Sequence, residues 1–513
     1  MLQLKWLITF SLGIASLASA GQSISLRMIE EPETLDWNRA NSTIETHILL
    51  NLMEGLVEMD QDLKPVPALA ESWEISEDGR TYTFKLRQNI KWSDGVPLKA
   101  ADFVYSWKRL LSPSTGAPYA SFLFDIEGAE WFYKGTVRDF KAVGIKAIDD
   151  RTFQVKLTRP VAHWIFIPTF WVTFPLREDI VSKYGNSWDR PGKMVSLGPY
   201  LLAGHEKDSR VILKENPTYY RSKGNISDVQ FILVKDDMTA LRLFDSGKLD
   251  FVNRLPGLEL RKMKDRKELK YVDYLRVFYI GFIVSKFPAT DPHVRRAIAM
   301  AIDLSKIPQV MMGKQQSATS YVPPGIMGHS KKLGLKFDPE AARQELKLSG
   351  LDVANIKMDF LISSDASHVQ FGEFVQSELR KNLGLNVRLQ TVETRNLRTN
   401  ISLKATPMYF RLWAADFPDP DNFLWLFTSN NSNNLTTLKN EKYDEMIVTA
   451  RHSTDKSRRE KIYLDAQKLL QEELAAVIPV YYDPNVFLLR TAIKGLELNP
   501  INYLFLRKAN RSE

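Results

Sequence analysis

Two periodicities of apolar residues alternate along the chain and predict a mixture of strands and helices. Tyr82, Phe84 and Leu86 alternate with polar residues, which is the two-residue period of a strand with one buried face. Residues 101–111 carry apolar side chains at helical spacing, and Asp102 favours the positive end of the helix dipole. Strand, turn and helix in this order indicate an α/β protein.

Similar patterns recur through the rest of the chain. Gly384 is placed to end a helix, because glycine accepts the left-handed conformation of a helix C-terminus. Further predicted elements are strands at 152–157 and 272–284, a helix opened by Pro292, a helix around 374–383 followed by a strand, a helix from 443 to about 474, and a β-rich run at 477–486.

The first 20 residues have the pattern of a cleaved export signal. Lys5 gives the positive region, residues 7–17 form an apolar run, and residues 18–20 read Ala-Ser-Ala, a small-residue cleavage site. The apolar run is shorter than the roughly 20 residues that span a bilayer. We expect a mature chain that begins at Gly21 and lies outside the cytoplasm.

Composition narrows the class of protein. A chain of 513 residues with 44% hydrophobic and 25% charged residues is globular, and its length suggests several domains. The absence of cysteine excludes disulfides, thiolate metal sites and the acylated cysteine of a lipid anchor. The net charge of +8 is spread along the chain, and even the pair Arg458 and Arg459 adjoins acidic residues. We therefore expect solvated faces and no nucleic-acid partner.

The sequence offers little catalytic chemistry. The seven histidines form no i, i+4 pair, and neither nucleotide-binding glycine motifs nor a GxSxG motif occur, so we expect no metal and no cofactor. Adjacent carboxylates occur at Asp149 and Asp150, and near one another at Asp419 and Asp421. These pairs favour solvated turns, although a glycosidase-like pair assembled from distant segments stays open.

Residues 412–425 form the segment that most suggests a ligand site. Asp416 lies between Trp413 and Phe417, so its carboxylate can sit in a partly dry environment, where attraction to an ammonium group is stronger than in water. An Asx-type turn into the proline-rich corner explains the same aspartate equally well.

Several ordered motifs resemble those of the extracytoplasmic solute-binding proteins of family 5, which serve peptide and nickel ABC importers. The similarity covers nearly the whole mature chain and is greatest to the oligopeptide-binding members. The matching segments are Ala70–Glu74, Tyr82–Arg87, Lys91–Pro97, Ala101–Arg109, Pro118–Ser121, Val294–Ile298, Trp413–Pro420, Ser432–Asn434 and Ile478–Tyr482.

The resemblance implies a periplasmic-binding-protein-like type II clamp, with two α/β lobes and an additional domain. It implies a discontinuous first domain of residues 21–53, 178–271 and 484–513, with residues 1–20 as the signal. The additional domain is 54–177 and the opposing lobe is 272–483.

The resemblance also implies which residues hold a peptide. Asp416 pairs with the peptide's α-ammonium group, and two backbone segments run along the peptide like neighbouring strands. The implied set is Asp416, Trp413, Leu412, Asn41, Ser42, Thr43, Tyr119, His368, Asn433, Phe410 and Tyr482.

Some positions depart from the family pattern. Phe410 stands where oligopeptide-binding relatives carry an arginine for the carboxylate of a short peptide, so we expect an altered length or C-terminal preference. Thr394 and Asp483 replace an aromatic residue each. Arg411 is a substitute partner for that carboxylate, but on a strand its side chain points away from the face of Phe410.

The expected function is a non-catalytic, periplasmic oligopeptide-binding protein. Its expected partners are a peptide and the permease subunits of an ABC importer in the inner membrane, and we expect a monomer. A receptor for a signalling or murein-derived peptide is the alternative, and a secreted hydrolase is the third possibility.

Overall fold

The computed structural model describes residues 22–512 except residue 312. The predicted export signal and the predicted new N-terminus lie outside the described residues. Within that part of the chain, no helix combines the length and the apolar character needed to cross a membrane.

The strands are distributed along the whole of the described chain. In chain order they are β1 (Gln22–Met28), β2 (Val57–Met59), β3 (Pro65–Pro67), β4 (Ala70–Ile75), β5 (Thr81–Leu86), β6 (Ile145–Asp149), β7 (Thr152–Lys156), β8 (Tyr200–Glu206), β9 (Arg210–Glu215), β10 (Ile226–Leu233), β11 (Phe251–Asn253), β12 (Leu269–Val272), β13 (Arg276–Phe282), β14 (Gln316–Ser317), β15 (Met358–Ser363), β16 (Val387–Val392), β17 (Met408–Ala414), β18 (Val477–Tyr482), β19 (Asn485–Leu489), β20 (Ile493–Lys494), β21 (Glu497–Leu498), β22 (Leu504–Phe505) and β23 (Asn510–Arg511).

The α-helices are interspersed among these strands. In chain order they are α1 (Thr43–Leu52), α2 (Ala100–Leu111), α3 (Ala129–Tyr133), α4 (Glu178–Tyr184), α5 (Asp237–Asp245), α6 (Gly257–Lys262), α7 (Pro292–Ala301), α8 (Ile307–Met311), α9 (Pro339–Leu348), α10 (Ala366–Leu383), α11 (Thr394–Ser402), α12 (Asp421–Leu424), α13 (Glu441–His452) and α14 (Lys456–Lys468).

Three larger sheets organise the chain. The first has seven strands in the order β12-β19-β11-β1-β10-β9-β8, and the second has six in the order β14-β18-β13-β17-β15-β16. The third has four strands in the order β4-β5-β7-β6. The first sheet combines strands from the beginning, middle and end of the chain, so the chain crosses between sheets more than once. The division into three domains with the boundaries given above stays a prediction.

Most predicted elements are confirmed. The alternating segment is β5, the segment around Phe103 is α2, and the helix that Gly384 was expected to end is α10. Gly384 has φ of 70°, and its N–H closes the helix by donating to the carbonyl of Arg380. The following strand is β16, and Pro292 occupies the first turn of α7.

Two predicted continuous elements are wrong, whereas the β-rich run at 477–486 is confirmed and holds β18 and the start of β19. The run 272–284 is divided between β12 and β13, which belong to different sheets. The long helix from 443 to about 474 is two helices, α13 and α14. The Asp455 side chain accepts a hydrogen bond from the N–H of Arg458, which starts a new helix where the sequence pattern alone suggests continuity.

Strand β17 separates two apolar cores. Tyr409 belongs to the core shared with the seven-stranded and four-stranded sheets, whereas Phe410 belongs to the core beneath the helices of the six-stranded sheet. Because side chains alternate along a strand, Arg411 and Trp413 share the face of Tyr409.

Helix α1 begins at a complete capping box. The N–H of Glu45 donates to the Ser42 hydroxyl, and the Glu45 carboxylate accepts from the N–H of Ser42 at 2.9 Å. We expect Ser42→Ala to lower the free energy of unfolding by about 1 kcal/mol, measured by urea denaturation. Ser367→Ala, at an exposed position within α10, is the control. Equal effects of the two substitutions would contradict this role of Ser42.

Candidate functional site

The predicted site aspartate lies just beyond the end of β17. The Asp416 N–H donates to Asn422 Oδ1 at 3.1 Å, and Asn422 Nδ2 donates to Asp416 Oδ2 at 3.3 Å. The indole of Trp413 donates to the same Asn422 oxygen at 3.1 Å. One amide side chain therefore fixes both the aspartate and the tryptophan, a partnership that the sequence analysis missed.

The next residue along the chain anchors this loop to the unit built around the four-stranded sheet. The Phe417 ring stacks on His163, with ring centroids 4.9 Å apart and planes 11° apart. Phe417 also contacts Phe122 edge to face. The site loop is thus held between two parts of the chain that are far apart in sequence.

Three tyrosines from separate segments lie near enough to Asp416 for its charge to act on their hydroxyl groups. Burial raises the pKa of Tyr119, Tyr274 and Tyr503, and the negative charge of Asp416 raises each of them further. Tyr119 was predicted as a site residue, and the other two were not. Within the described residues, the Tyr503 hydroxyl is buried without a hydrogen-bond partner.

The Asp416 carboxylate has an environment suited to a cationic ligand. Burial raises its pKa from 3.8 to about 6, and the hydrogen bond from Asn422 offsets this only in part. Among the described residues, Asp416 forms no salt bridge. An approaching ammonium group supplies the missing positive charge, and such perturbed carboxylates are typical of binding sites.

The backbone of β17 has an open edge beside this carboxylate. On one side β17 pairs with β13 along its whole length, but on the other side β15 pairs only with Met408 and Tyr409. The N–H of Ala415 donates to Leu275 at 2.8 Å, on the β13 side. Since backbone groups alternate in direction, those of Leu412 and Ala414 face the open edge.

This geometry refines the predicted backbone contacts. Leu412, which was predicted, has its N–H and C=O directed to the edge that the described strands leave unpaired. Trp413 uses its backbone groups for the β13 ladder instead, whereas Ala414, which was not predicted, joins Leu412 at the edge.

The second predicted backbone segment is already hydrogen-bonded. The N–H groups of Asn41 and Ser42 both donate to Glu45 Oε2, at 2.8 and 2.9 Å. Thr43 is the first residue of α1 and is exposed. A peptide can therefore pair with residues 41–43 only through their carbonyl groups and the N–H of Thr43, or after displacing the Glu45 carboxylate. This pairing stays a prediction.

Asn433 and His368 lie on opposite sides of the six-stranded sheet. Asn433 accepts a hydrogen bond from Arg398 Nη2 at 2.8 Å, on the face of Arg411. His368, in the first turn of α10, packs edge to face on Phe278 and Phe410. Burial lowers the pKa of His368 and favours its neutral form.

Phe410 and Tyr482 are packed into the protein interior. Phe410 has 0% exposed surface and lies 4.4 Å from Phe371 between ring centroids. The Tyr482 hydroxyl is hydrogen-bonded to the backbone of Ser320. In this structure the side chains of Phe410 and Tyr482 therefore present no free group to a ligand, because core packing and an internal hydrogen bond occupy them.

The two positions that depart from the family pattern are also bonded internally. Thr394 donates to Asp365 at 2.8 Å, and Asp483 forms an ion pair with Arg276 at 2.5 Å. Their altered side chains contribute to local structure.

A buried charge network lies directly behind the site loop, and here the prediction of solvated turns is wrong. Asp421 is 1% exposed and pairs with Arg451, while Asp419 pairs with Arg459 at 2.9 Å. Asp419 does accept the N–H of Asp421 at 2.9 Å, as a turn requires, but the long-range arginines bury both carboxylates. Arg459, expected on a solvated face, is buried as well.

The network also crosses to the unit of the four-stranded sheet. Arg451 Nη2 lies 2.6 Å from Asp125 Oδ2, and His163 Nε2 lies 3.6 Å from Asp421 Oδ2. Burial and the nearby arginines Arg451 and Arg459 lower the pKa of His163 well below 6.5, which favours the neutral ring. Asp149, in contrast, does form the predicted exposed turn.

Comparison with known proteins gives the same family throughout. Residues 64–434 match the model of bacterial extracellular solute-binding proteins, family 5 Middle. The probable deoxycholate-binding periplasmic protein YgiS of Escherichia coli is 30% identical, over 93% of this chain and 91% of that protein. The periplasmic oligopeptide-binding protein OppA of Salmonella typhimurium is 30% identical, over 93% and 90%.

Solved structures show the same fold. The Escherichia coli murein tripeptide binding protein MppA superposes with a TM-score of 0.84 at 27% identity, covering 96% of this chain and 99% of that one. The α/β clamp that the sequence predicts is therefore confirmed. With the family model matching most of its length, the chain belongs to the bacterial extracellular solute-binding proteins of family 5.

Proposed function

We propose that this protein binds extended oligopeptides outside the cytoplasm and delivers them to an ABC importer. The observation that carries the proposal is the position of Asp416, a partly buried carboxylate that forms no salt bridge within the described residues, next to the open edge of β17. A peptide offers an ammonium group and a backbone strand in the same arrangement. OppA of Salmonella typhimurium, a binding protein for oligopeptides, is among the relatives.

The open edge of β17 and the Asp416 carboxylate recognise different parts of the peptide. The open edge at Leu412 and Ala414 adds the peptide as a further strand, which gives affinity without reading side chains. Asp416 sets the register by holding the amino end. A binder built in this way accepts many sequences, as nutrient uptake requires.

The site requires no reaction, and we propose that the protein is not an enzyme. Asp419 and Asp421, the aspartates nearest to Asp416 along the chain, are held by arginines and are not poised as an acid and base pair. The further parts of the proposal are the predicted domain boundaries, a monomer, a periplasmic location after cleavage of the signal, and permease subunits of the inner membrane as partners.

Two relatives motivate alternative ligands. MppA binds a murein tripeptide, which favours a receptor or carrier for a murein-derived peptide. YgiS is described as a probable deoxycholate-binding protein, which favours a carboxylate-bearing amphipathic ligand. Mass spectrometry of the ligand that co-purifies with the native protein distinguishes a plain peptide, a murein peptide and a bile acid directly.

Calorimetry tests the peptide proposal itself. We expect alanine peptides of three to five residues to bind with a free amino end, and to bind at least about tenfold more weakly when N-acetylated, because a charge-assisted hydrogen bond contributes about 1.5 to 3 kcal/mol. Equal affinity of the free and the acetylated peptide would refute the role of Asp416. Failure of all peptides to bind would refute the function.

A further inference from the structure

A cavity of about 290 Å³ lies beside β14, the edge strand of the six-stranded sheet. Its walls come from the end of α7, from β14 and β18, and from the segment of residues 331–337. At roughly 30 Å³ for a water-sized group, the cavity holds about ten non-hydrogen atoms. Apolar side chains form much of the lining, among them Ile302, Leu304, Ala318, Leu333, Leu335 and Phe337.

The segment 331–337 follows a defined path along one wall. The N–H of Gly334 donates to Glu472 Oε1 at 3.0 Å, and Thr319 Oγ1 donates to the carbonyl of Ser330 at 2.9 Å. Gly334 has φ of 86°, and a Cβ there would lie 3.0 Å from the carbonyl oxygen of Thr319. The cavity is therefore bounded by hydrogen-bonded and closely packed backbone.

One buried polar group in the wall has no partner. Gln471 is 2% exposed and lines the cavity. Its Oε1 accepts the N–H of Tyr321 at 2.6 Å, whereas its Nε2 has no hydrogen-bond partner within the described residues. Gln471 lies in Leu469–Glu473, a single π-helical turn after α14, and such turns are frequent at functional sites. Because an unsatisfied buried donor costs free energy, an acceptor atom in the cavity is favoured.

The lining also carries a net positive charge. Among its described residues the one carboxylate, Asp303, lies 3.4 Å from Lys306 Nζ and is thereby neutralised. Three exposed lysines that form no salt bridge within the described part of the chain belong to the lining, namely Lys331, Lys332 and Lys336. An acceptor that is negatively charged therefore suits the cavity better than a neutral one.

The cavity is separate from the site around Asp416. Strands β18 and β13 lie between β14 and β17, so three strand spacings of about 4.8 Å, or about 14 Å, separate β14 from β17. Ile478, in the cavity wall, is level with Phe410 through Ile280 of β13, whereas Asp416 lies beyond the far end of β17. A ligand of about ten atoms therefore fills the cavity without reaching Asp416.

We propose that this cavity is a second ligand site, which takes a small amphipathic carboxylate with an apolar chain of about eight carbons. The apolar walls bury the chain, as in most small-molecule sites. The carboxylate supplies the acceptor that Gln471 Nε2 lacks and the negative charge that the lysines favour. The proposal does not depend on which ligand binds at Asp416.

A series of matched ligands tests the chemistry of the site by calorimetry. Octanoate should bind, and hexanoate should bind about 15-fold more weakly, since each buried methylene contributes about a factor of four. 1-Octanol, which lacks the charge, should bind about tenfold more weakly than octanoate. Absence of octanoate binding, or equal binding of octanoate and either of the other two ligands, overturns the proposal.

The double variant Lys331→Gln with Lys332→Gln tests the charge. Its affinity for octanoate should fall by about two- to tenfold, and its affinity for 1-octanol should not change. Lys439→Gln with Lys442→Gln is the matched control, because it removes the same net charge from two other exposed lysines. It should bind octanoate as the wild type does. No loss in the first variant, or equal losses in both, overturns the proposal.

Gln471→Glu tests the buried donor. The variant keeps an acceptor for the N–H of Tyr321 and replaces the unpartnered NH₂ group by an oxygen. It should bind octanoate at least about tenfold more weakly than the wild type, and urea denaturation checks that it is folded. A folded variant that keeps the wild-type affinity for octanoate overturns the role of Gln471.

Competition separates this inference from the proposed function. A peptide that saturates the site at Asp416 should leave the affinity for octanoate unchanged. Displacement of octanoate by the peptide overturns the second site and leaves the peptide function intact. If no peptide binds but octanoate binding responds to the lysine and Gln471 variants as expected, the proposed function fails and the second site is supported.

Discussion

Asp416→Asn should weaken the binding of a peptide with a free amino end by about 2 to 5 kcal/mol, the usual effect of truncating one partner of a buried charge pair. The amide keeps the size of the side chain and can still accept a hydrogen bond from Asn422, so the loop should keep its conformation. Calorimetry at pH 7 measures the change. Asp150→Asn, at an exposed position, is the control and should bind as the wild type does.

The same carboxylate predicts a pH dependence of binding. Its pKa of about 6 in the free protein means that the ionised form, which the ammonium group requires, predominates above pH 6. Affinity should be greatest between about pH 7 and the pKa of the peptide's α-ammonium group, about 8, and about tenfold lower at pH 5, since each unit below the pKa of Asp416 costs about a factor of ten. An N-acetylated peptide should show no such dependence.

The stability of the ligand-free protein should change with pH in the direction opposite to the affinity. Because the folded-state pKa of Asp416 is raised above 3.8, its ionised form disfavours the folded state, and this cost is complete above pH 6. The free Asp416→Asn variant should therefore be at least as stable as the wild type at pH 7 in urea denaturation. A variant that loses both stability and binding would show that Asp416 has a structural role.

Arg451→Ala should lower the free energy of unfolding by about 3 to 5 kcal/mol, because it leaves buried carboxylates without their partner. Arg451 bonds both Asp421, which is 1% exposed, and Asp125. Removing it should raise the pKa of Asp421 above its present value of about 6. Urea denaturation at pH 7 measures the loss of stability.

Arg388→Ala provides the comparison. Arg388 pairs with Asp359 at 2.7 Å but is 73% exposed. Exposed pairs contribute about 0 to 1 kcal/mol, so this variant should unfold close to the wild type. Similar losses for Arg388→Ala and Arg451→Ala would mean that the network behind the site contributes no more than a surface pair.

The sequence analysis singled out Asp416 and Tyr119 but missed the other residues that lie near the Asp416 carboxyl group. Asp416 could be found because aromatic residues flank it and because its segment resembles a family motif. Asn422, Tyr274 and Tyr503 carry no such signal. The two tyrosines reach the site from distant segments, and only the tertiary fold brings them to the carboxyl group.

In the charge network, residues that were expected to be exposed to solvent are buried. Asp419 and Asp421 alternate with prolines, and Arg459 lies among other charged residues, so the local pattern indicates solvent. Their partners are 30 and 40 residues away along the chain. Burial of such pairs depends on long-range packing, which neither periodicity nor composition reports.

The same limit applies to the division of predicted elements. The apolar pattern of residues 443–474 is continuous, but a single aspartate side chain starts a new helix at residue 456. Strand β5 and helix α2 were predicted well because their buried residues follow a local period, of two residues in β5 and of one helical turn in α2.

The ion pair between Asp125 and Arg451 has a consequence for release. It joins the unit of the four-stranded sheet to helix α13, at a place that Asp416 and the open strand edge do not include. Any motion that parts these two units has to separate the pair and rehydrate both ions. For any ligand that leaves through such a motion, breaking the Asp125–Arg451 ion pair adds to the activation barrier of release, independently of the contacts that the ligand makes at Asp416 and the strand edge.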